Sequence, residues 1–435
     1  MFKTLVNAFK VKELRNKILL TLLLLFIYRI GCWLPVPGIN VDVFKATVEN
    51  EFGGFLNLLS SIGGGALSNG AFLALGVGPY ISAQLCLMVL KMGFPSLREL
   101  DKTPDGQRKS AFYNRLLGLV LSIAQAAGFV FIALGDNIDP NVLWSGAPDW
   151  LARIFIVVML AAGGMFTVWL GERINDLGIG NGLSLLIFVG ILSTAGTSLL
   201  STFTQLPGNI DYLWNILIFL AAVIVIFSLI VLIDTAERRI NFQISQHTMK
   251  GGAMKNTRYL PFKLIGSGVT PVIFASYIFM FPQVLMSIFW PDALTWYSQY
   301  LGAGSWAYIV LSSILIVVLS FFIVKGTQNV KDISKNLQQN GISIQGRKPG
   351  SQTAEYLGKV QNRIVLVGSI FLALINFIPS VIFTAIGGTN TSLVNAFSAT
   401  GLMIVVSVAI ELNKSLEQQL IVRNHRGFLK WDLSF

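Results

Sequence analysis

Residues 57–90 read NLLSSIGGGALSNGAFLALGVGPYISAQLCLMVL and join a short apolar run, three consecutive glycines and a long apolar segment. The segment 72–90 is long enough to cross about 30 Å of hydrocarbon as a helix, whereas the run Phe55 to Ile62 is too short. A short helix followed by the hinge 63–65 is typical of a re-entrant or plugging element, which must be covered by protein or face a water cavity. A surface loop in the outer headgroups explains the composition equally well.

Apolar segments of this kind recur along the whole chain. The sequence has 435 residues, of which 54% are hydrophobic and 12% are charged, whereas soluble proteins carry about 25% charged residues. Because backbone N–H and C=O groups cannot stay unpaired in lipid, each segment is predicted to be a helix. The ten predicted spans are 18–34, 72–90, 113–134, 151–170, 182–200, 213–233, 268–289, 306–324, 364–385 and 393–411.

The basic residues orient these spans. Of the 32 Lys and Arg residues, 29 fall on one side of the ten-segment map, and the exceptions are Arg29, Lys45 and Arg153. Cytoplasmic loops carry the excess of positive charge, so both termini are predicted to be cytoplasmic. Ten spans form two sets of five with opposite orientation, which is the topology of an inverted repeat. The predicted parts are an N-terminal half (1–200), a C-terminal half (201–411) and a cytoplasmic tail (412–435).

The sequence offers little for enzymatic or metal chemistry. The two cysteines, Cys32 and Cys86, have no zinc-site spacing, and no HExxH or Walker motif occurs. We therefore predict no metal site, no cofactor and no enzymatic activity, with energy supplied by a partner. The main alternative function is a secondary transporter, which also has inverted repeats and broken helices but normally needs ionisable residues at the midplane.

Several long motifs resemble the SecY/Sec61 translocon family, in order and over nearly the whole chain. They are RIGCWLPVPGIN (29–40), the stretch 57–90 quoted above, GERINDLGIGNGLSLLIFVGI (171–191), GVTPVIFASYIFMFP (268–282) and GRKPGSQTAEYLGKVQNRIVLVG (346–368). The resemblance implies an all-α polytopic membrane protein with ten transmembrane helices in two inverted halves around a central pore. It implies a protein-conducting channel of the bacterial cytoplasmic membrane that releases hydrophobic segments into membrane lipid. Its implied partners are SecE, SecG, the SecA ATPase, the translating ribosome, signal sequences and preproteins.

The resemblance also implies a ring of aliphatic side chains that closes the pore. A narrow apolar ring dewets and blocks ions, and the i,i+4 spacing of two pairs places each pair on one helix face. The alternative is that these side chains face lipid or a neighbouring helix, as most membrane-helix aliphatics do. The implied ring is Ile81, Leu85, Ile187, Ile191, Ile273 and Ile404. The implied plug, about 57–69, contains Asn57, Leu58, Leu59, Ile62, Gly63, Gly64 and Gly65.

Two further surfaces follow from the resemblance. A lateral gate is expected between the second and third spans and the seventh and eighth, with Ser82, Gln84, Gln125 and Phe281 near it. Ordinary interhelical hydrogen bonding explains the polar members equally well. Pro79 is expected to begin the second span, and Pro271 and Pro282 to interrupt the seventh.

The loops 234–267 and 325–363 are expected to form the docking face for SecA or the ribosome. Its expected contact residues are Arg238, Arg239, Arg258, Arg347 and Lys348. Arginine suits both partners because its planar fork pairs with phosphate or carboxylate at two points. Positive-inside charge alone is the simpler explanation, although it does not explain a long loop that carries seven cations.

Arg29 lies inside the first predicted span, where a charge usually marks function. It is about 9 Å from Pro35 at 1.5 Å per residue, close enough to extend its side chain outward to the membrane surface. That position and a role beside the plug are equally compatible with the sequence.

Overall fold

The fold is described from a computed structural model of the chain. The residues that it describes are 2–37, 39, 41, 63–67, 69–100, 103–133, 148–204, 210–244, 258–266, 268–302, 305–327, 330–344, 346–386 and 399–431.

Helices dominate these residues. In chain order they are α1 (Phe2–Lys10), α2 (Lys12–Gly31), α3 (Gly78–Gly93), α4 (Pro95–Leu100), α5 (Pro104–Ala133), α6 (Asp149–Leu177), α7 (Gly182–Thr204), α8 (Ile210–Thr235), α9 (Thr270–Phe289), α10 (Pro291–Leu301), α11 (Trp306–Thr327), α12 (Val330–Gln339), α13 (Ser351–Ile386) and α14 (Ala399–Trp431). A helix lies within each of the ten predicted spans. In the part of the chain that is described, α5, α6, α11 and α13 are long and apolar enough to cross a membrane, and α7, α8 and α9 contain shorter apolar segments.

Many large apolar side chains point away from the packed interior. Leu23 on α2, Val225 and Leu232 on α8, and Ile314 on α11 are all more than half exposed. Exposed apolar surface on this scale is unfavourable in water and marks contact with other apolar material. Together with the helix lengths, it shows a multi-pass membrane protein whose outer surface faces lipid.

The second predicted span begins later than its apolar composition suggested. Residues 72–77 form turns, and α3 starts at Gly78 with Pro79 in its first turn. The reason is a set of long-range backbone hydrogen bonds: the Phe72 N–H donates to the Leu34 carbonyl (2.8 Å), and the Val36 N–H donates to the Gly70 carbonyl (2.9 Å). These bonds pair residues 34–36 with residues 70–72 in an extended conformation, and the helix begins only after this paired segment.

Two other helices run beyond their predicted spans. Helix α13 starts at Ser351, well before 364, and α14 continues to Trp431 through most of the segment that was predicted to be a separate tail. The N-terminal helix α1 packs against this extension, where Ala8, Leu14, Ile179 and Leu416 form a buried cluster. Both ends of the chain therefore meet on the same side of the molecule.

The described residues are mostly helical, as predicted, but they also contain a small antiparallel sheet that the sequence analysis did not predict. Strands β1 (Glu237–Ile244), β2 (Arg258–Lys263) and β3 (Ile342–Ile344) pair in the order β2-β1-β3. In β1 apolar residues alternate, so Ile240 and Phe242 share a face. Pro261 is tolerated because β2 is an edge strand of this sheet.

The sheet is anchored on the helices that follow it. Ile240, Phe262 and Ile344 are buried together with Leu357 of α13. The apolar face of α12, made of Val330, Ile333 and Leu337, packs against the same cluster. The described residues of the loops 234–267 and 325–363 therefore form one folded unit at the ends of α8 and α11.

Candidate functional site

The six aliphatic residues predicted to form a ring lie in one apolar cluster. They come from four helices: Ile81 and Leu85 from α3, Ile187 and Ile191 from α7, Ile273 from α9, and Ile404 from α14. Ile81, Ile187, Ile191 and Ile404 are at most 5% exposed, and Leu85 and Ile273 are partly buried against them.

The cluster joins the two halves of the chain. Its other buried members include Tyr28 and Leu170 from the N-terminal half and Phe274 and Val408 from the C-terminal half. The sequence alone also allowed these side chains to face lipid, and their burial in the cluster excludes that position. Because they are packed into one cluster, an opening through it requires the helices to separate.

A cavity of about 980 Å³ lies against one side of this cluster. Ile273 and Ile404 belong to its lining, together with Val408. Most of the remaining lining is polar or charged and comes from both halves: Lys17, Asn175, Asp176, Asn181, Asp234, Lys263, Glu411, Lys414 and Glu417. The cavity therefore has mostly polar and charged walls and reaches two of the six predicted ring residues.

A glycine segment packs beside the ring at α7. Gly64 has a φ of +71°, and a Cβ placed on it would lie 3.0 Å from the Cα of Gly190. Gly190 lies on α7 between the ring residues Ile187 and Ile191. Only a residue without a side chain fits this backbone conformation and this close approach. The remaining predicted plug residues, Asn57, Leu58, Leu59 and Ile62, fall outside the described residues.

Arg29 binds this glycine segment. Its Nη1 donates a hydrogen bond of 2.6 Å to the carbonyl oxygen of Gly64, and its guanidinium lies 5.3 Å from the ring centroid of Trp33. The Cys32 thiol is 3.9 Å from the Gly63 carbonyl oxygen. Of the two positions that the sequence allowed for Arg29, the structure shows the one beside the glycines.

Two of the predicted gate residues meet in a buried polar contact. The Gln125 Nε2 of α5 donates to the Ser82 Oγ of α3 over 3.5 Å, and that hydroxyl donates to the Gly78 carbonyl over 3.1 Å. A Cβ on Gly78 would lie 3.4 Å from the Tyr277 ring of α9, so α9 closes over this site. The contact is an interhelical hydrogen bond at the seam between α3, α5 and α9.

The other expectations for this seam have mixed outcomes. Gln84 is half-buried on α3. Phe281 lies on α9 directly before Pro282, which is inside the helix. Pro271 does not interrupt the helix, because it occupies the first turn of α9, where proline is tolerated since that N–H has no helical partner.

The predicted docking residues are carried by the sheet and the turn after it. Arg238 and Arg239 are exposed on β1, Arg258 begins β2, and Arg347 and Lys348 are exposed between β3 and α13. Arg239 Nε donates a 2.8 Å bond to the Glu237 carboxylate, which raises the pKa of this guanidinium. Arg239 and Arg347 lie 4.8 Å and 5.3 Å from the rings of Tyr259 and Tyr356. These aromatic contacts, absent from the sequence prediction, hold two cations in defined positions.

Comparison with known proteins identifies the family. The SecY family model matches residues 71–413. Protein translocase subunit SecY of Staphylococcus carnosus is 35% identical over 437 residues, which cover 98% of this chain and 99% of the relative. SecY of Bacillus subtilis is 34% identical over 440 residues, covering 99% of this chain and all of the relative.

The chain belongs to the SecY family. The predicted resemblance is therefore confirmed over the full length. Solved structures agree on the fold: one described as a protein-conducting channel matches with a TM-score of 0.65 at 18% identity, covering 93% of this chain and 92% of the other. Sec61 in the canine ribosome–channel complex matches with a TM-score of 0.64 at 18% identity and the same coverage.

Proposed function

We propose that this chain is the channel subunit through which unfolded preproteins cross the bacterial cytoplasmic membrane. The observation that carries the proposal is the convergence of six aliphatic side chains from four helices in one apolar cluster, two of which, Ile273 and Ile404, line a large cavity with mostly polar and charged walls. Relatives that match the chain from end to end are named protein translocase subunits. A polypeptide needs a wide, hydrated entrance and a seal that binds no one sequence tightly, and flexible aliphatic groups supply that seal.

The glycine segment is proposed to belong to the plug. It lies against α7 at Gly190, and its contacts include the hydrogen bond from Arg29 to the Gly64 carbonyl oxygen and the Cys32 thiol near the Gly63 carbonyl oxygen. Displacement of this segment would free the space beside Ile187 and Ile191 for a translocating chain.

Sideways release into lipid is proposed at the seam between α3 and α5 on one side and α9 on the other. A signal sequence is an apolar helix, and it can leave the channel only where two helices separate. The bond between Gln125 and Ser82 joins α3 to α5, so these two helices are expected to move together. Pro282 gives α9 a point at which it can bend.

The ten helices are proposed to cross the membrane as two inverted sets of five, with both termini and the sheet in the cytoplasm. The exposed Arg238, Arg347 and Lys348 would then face SecA or ribosomal RNA. Sec61 and yeast Ssh1 are seen in complexes with ribosomes, and by analogy we propose ribosome docking at this sheet. SecE and SecG are proposed as membrane partners.

Reconstitution in liposomes tests this function. The chain with SecE and SecG should import a preprotein only when SecA and ATP are present. A channel that is occupied by a stalled preprotein should conduct ions, whereas the resting channel should not. Uptake of a small solute without SecA, combined with no preprotein import, would instead support a secondary transporter.

A further inference from the structure

A second cavity, of about 670 Å³, lies between the end of α11, the helix α12 and the start of α13. It is distinct from the cavity above the ring and shares no lining residue with it. Helix α12 separates its residues by face. Ile333 and Leu337 contribute to the apolar cluster under the sheet, Lys331, Lys335 and Gln338 line the cavity, and Val330 borders both.

Three cations surround this cavity: Lys325 in the last turn of α11, and Lys331 and Lys335, which lie one helical turn apart on α12. All three are exposed. One carboxylate, that of Glu355, also lines the cavity, but it accepts a 2.7 Å hydrogen bond from Lys359. The charge of the site is therefore positive, which favours an anionic ligand.

The wall formed by α13 includes small residues beside the polar Glu355, Gln361 and Asn362. Ala354 and Gly358 are one turn apart and both line the cavity. A Cβ on Gly358 would meet no atom within 4 Å, so the glycine leaves open space where a side chain could fit. A glycine inside a helix is unfavourable relative to alanine, and here it keeps room between two helices.

The position of Lys325 indicates which anion fits. It directly follows the apolar run 306–324 of α11, which is about as long as the hydrocarbon layer is thick, so Lys325 is expected at the boundary between hydrocarbon and headgroups. Lysines at that depth extend their ammonium groups into the headgroup layer. Phosphate groups at a membrane surface attract such lysines, and clusters of them recognise anionic lipids.

We propose that the cavity between α11, α12 and α13 binds the phosphate headgroup of an anionic phospholipid. Lys325, Lys331 and Lys335 pair with the phosphate, and the space at Gly358 receives the rest of the headgroup. The inference rests on α11 crossing the membrane and is independent of protein translocation.

Native mass spectrometry of the delipidated full-length chain tests the proposal by titration with phosphatidylglycerol, phosphatidylcholine or inorganic phosphate. The parent should bind phosphatidylglycerol in preference to phosphatidylcholine. The double variant Lys325→Gln/Lys335→Gln should bind phosphatidylglycerol at least about tenfold more weakly. Gly358→Leu should lose binding by filling the space, while its helix is retained. The charge-matched control Lys12→Gln/Lys109→Gln changes two exposed lysines outside the cavity and should bind like the parent.

Four results would overturn the proposal. Equal phosphatidylglycerol binding by the parent and both cavity variants would show that no site exists here. An equal loss in the Lys12 and Lys109 control would show a general charge effect. Displacement of phosphatidylglycerol by inorganic phosphate at the same concentration would show a soluble-anion site rather than a lipid site. Loss in the lysine double variant alone, with unchanged binding by Gly358→Leu, would contradict the role of the cavity.

Discussion

Arg29 on the first long helix donates a 2.6 Å hydrogen bond to the carbonyl oxygen of Gly64. The two residues are 35 positions apart, and Gly64 is itself in contact range of Gly190 on α7. The bond thus connects α2, the glycine segment and the helix that carries two of the six ring residues. A charged donor gives a backbone carbonyl a stronger hydrogen bond than a neutral donor does.

Removing this bond should loosen the glycine segment. We expect Arg29→Gln to raise the resting ion conductance of the reconstituted channel, because the Gly64 carbonyl loses a charged donor whose bond contributes about 1.5–3 kcal/mol. Single-channel recording in planar bilayers measures this conductance. Arg29→Lys, which keeps a charged donor, should leak less than Arg29→Gln. Identical silent recordings from the parent and Arg29→Gln would show that this bond does not restrain the seal.

Gly64 should tolerate no side chain. Gly64→Ala puts a Cβ 3.0 Å from the Gly190 Cα at a φ of +71°, and the left-handed conformation alone costs an alanine about 1–2 kcal/mol. We expect a lower melting temperature in detergent. Gly196→Ala is the control: it lies on α7 with nothing within 4 Å of its Cβ, and it should be neutral or stabilising by up to about 1 kcal/mol. Equal melting temperatures for the two variants would contradict the close approach of Gly64 to α7.

A polar side chain in the ring should favour the open channel. Ile404 is 3% exposed in the cluster, so Ile404→Asn places an amide there that water can hydrate only when the ring opens. A shift of about 1.4 kcal/mol in the closed–open equilibrium would raise export of a preprotein with a defective signal sequence about tenfold. Pulse-labelled export measures this, with Ile404→Leu as the control. Export as strict as in the parent would contradict the role of Ile404 in closure.

The contact between Gln125 and Ser82 should contribute modestly to stability. Hydrogen bonds between membrane helices are worth about 0.6 kcal/mol on average, and this one spans 3.5 Å. A double-mutant cycle with Gln125→Leu and Ser82→Ala, followed by unfolding in mixed micelles, should give a coupling energy of that size. A coupling of zero would indicate that α3 and α5 are held together by packing alone.

Charge reversal in the turn before α13 should abolish export without changing the amount of the protein in the membrane. Arg347 is exposed and positioned over the Tyr356 ring, so Arg347→Glu should leave the fold intact but repel an acidic partner surface. We expect SecA-dependent export to be lost while the abundance of the protein in the membrane stays unchanged. Arg108→Glu is the control, because it makes the same charge change at another exposed position. Normal export by Arg347→Glu would exclude this turn from SecA docking.

The helices were predictable because their signals are local. Apolar runs near 20 residues and the distribution of basic residues identify them without knowledge of their partners. The spacing of Ile81 with Leu85 and of Ile187 with Ile191 predicts a shared face on each helix. The convergence of these residues with Ile273 and Ile404 could be predicted only from the family motifs, because no local pattern relates α3 to α14.

The features that were missed depend on distant or weak patterns. The start of α3 is set by long-range hydrogen bonds, in which the Phe72 N–H donates to Leu34 and the Gly70 carbonyl accepts from Val36, and local hydropathy does not reveal them. The alternation of Ile240 and Phe242 is a signal for a strand, but it is short and lies in a segment whose dominant feature is its basic residues. The hydrogen-bond partner of Arg29 is 35 residues away. The sequence alone therefore supports equally a side chain that extends to the membrane surface and one that lies beside the glycine segment.

The most direct test of the pore places a photo-crosslinking amino acid at each ring position in turn, with a preprotein stalled during SecA-driven translocation. All six positions, 81, 85, 187, 191, 273 and 404, should crosslink to the stalled chain, whereas Ile224 and Ile314 on the exposed faces of α8 and α11 should crosslink to lipid. Crosslinks to lipid from the ring positions, or crosslinks to the preprotein from Ile224 and Ile314 instead, would show that the polypeptide takes another path.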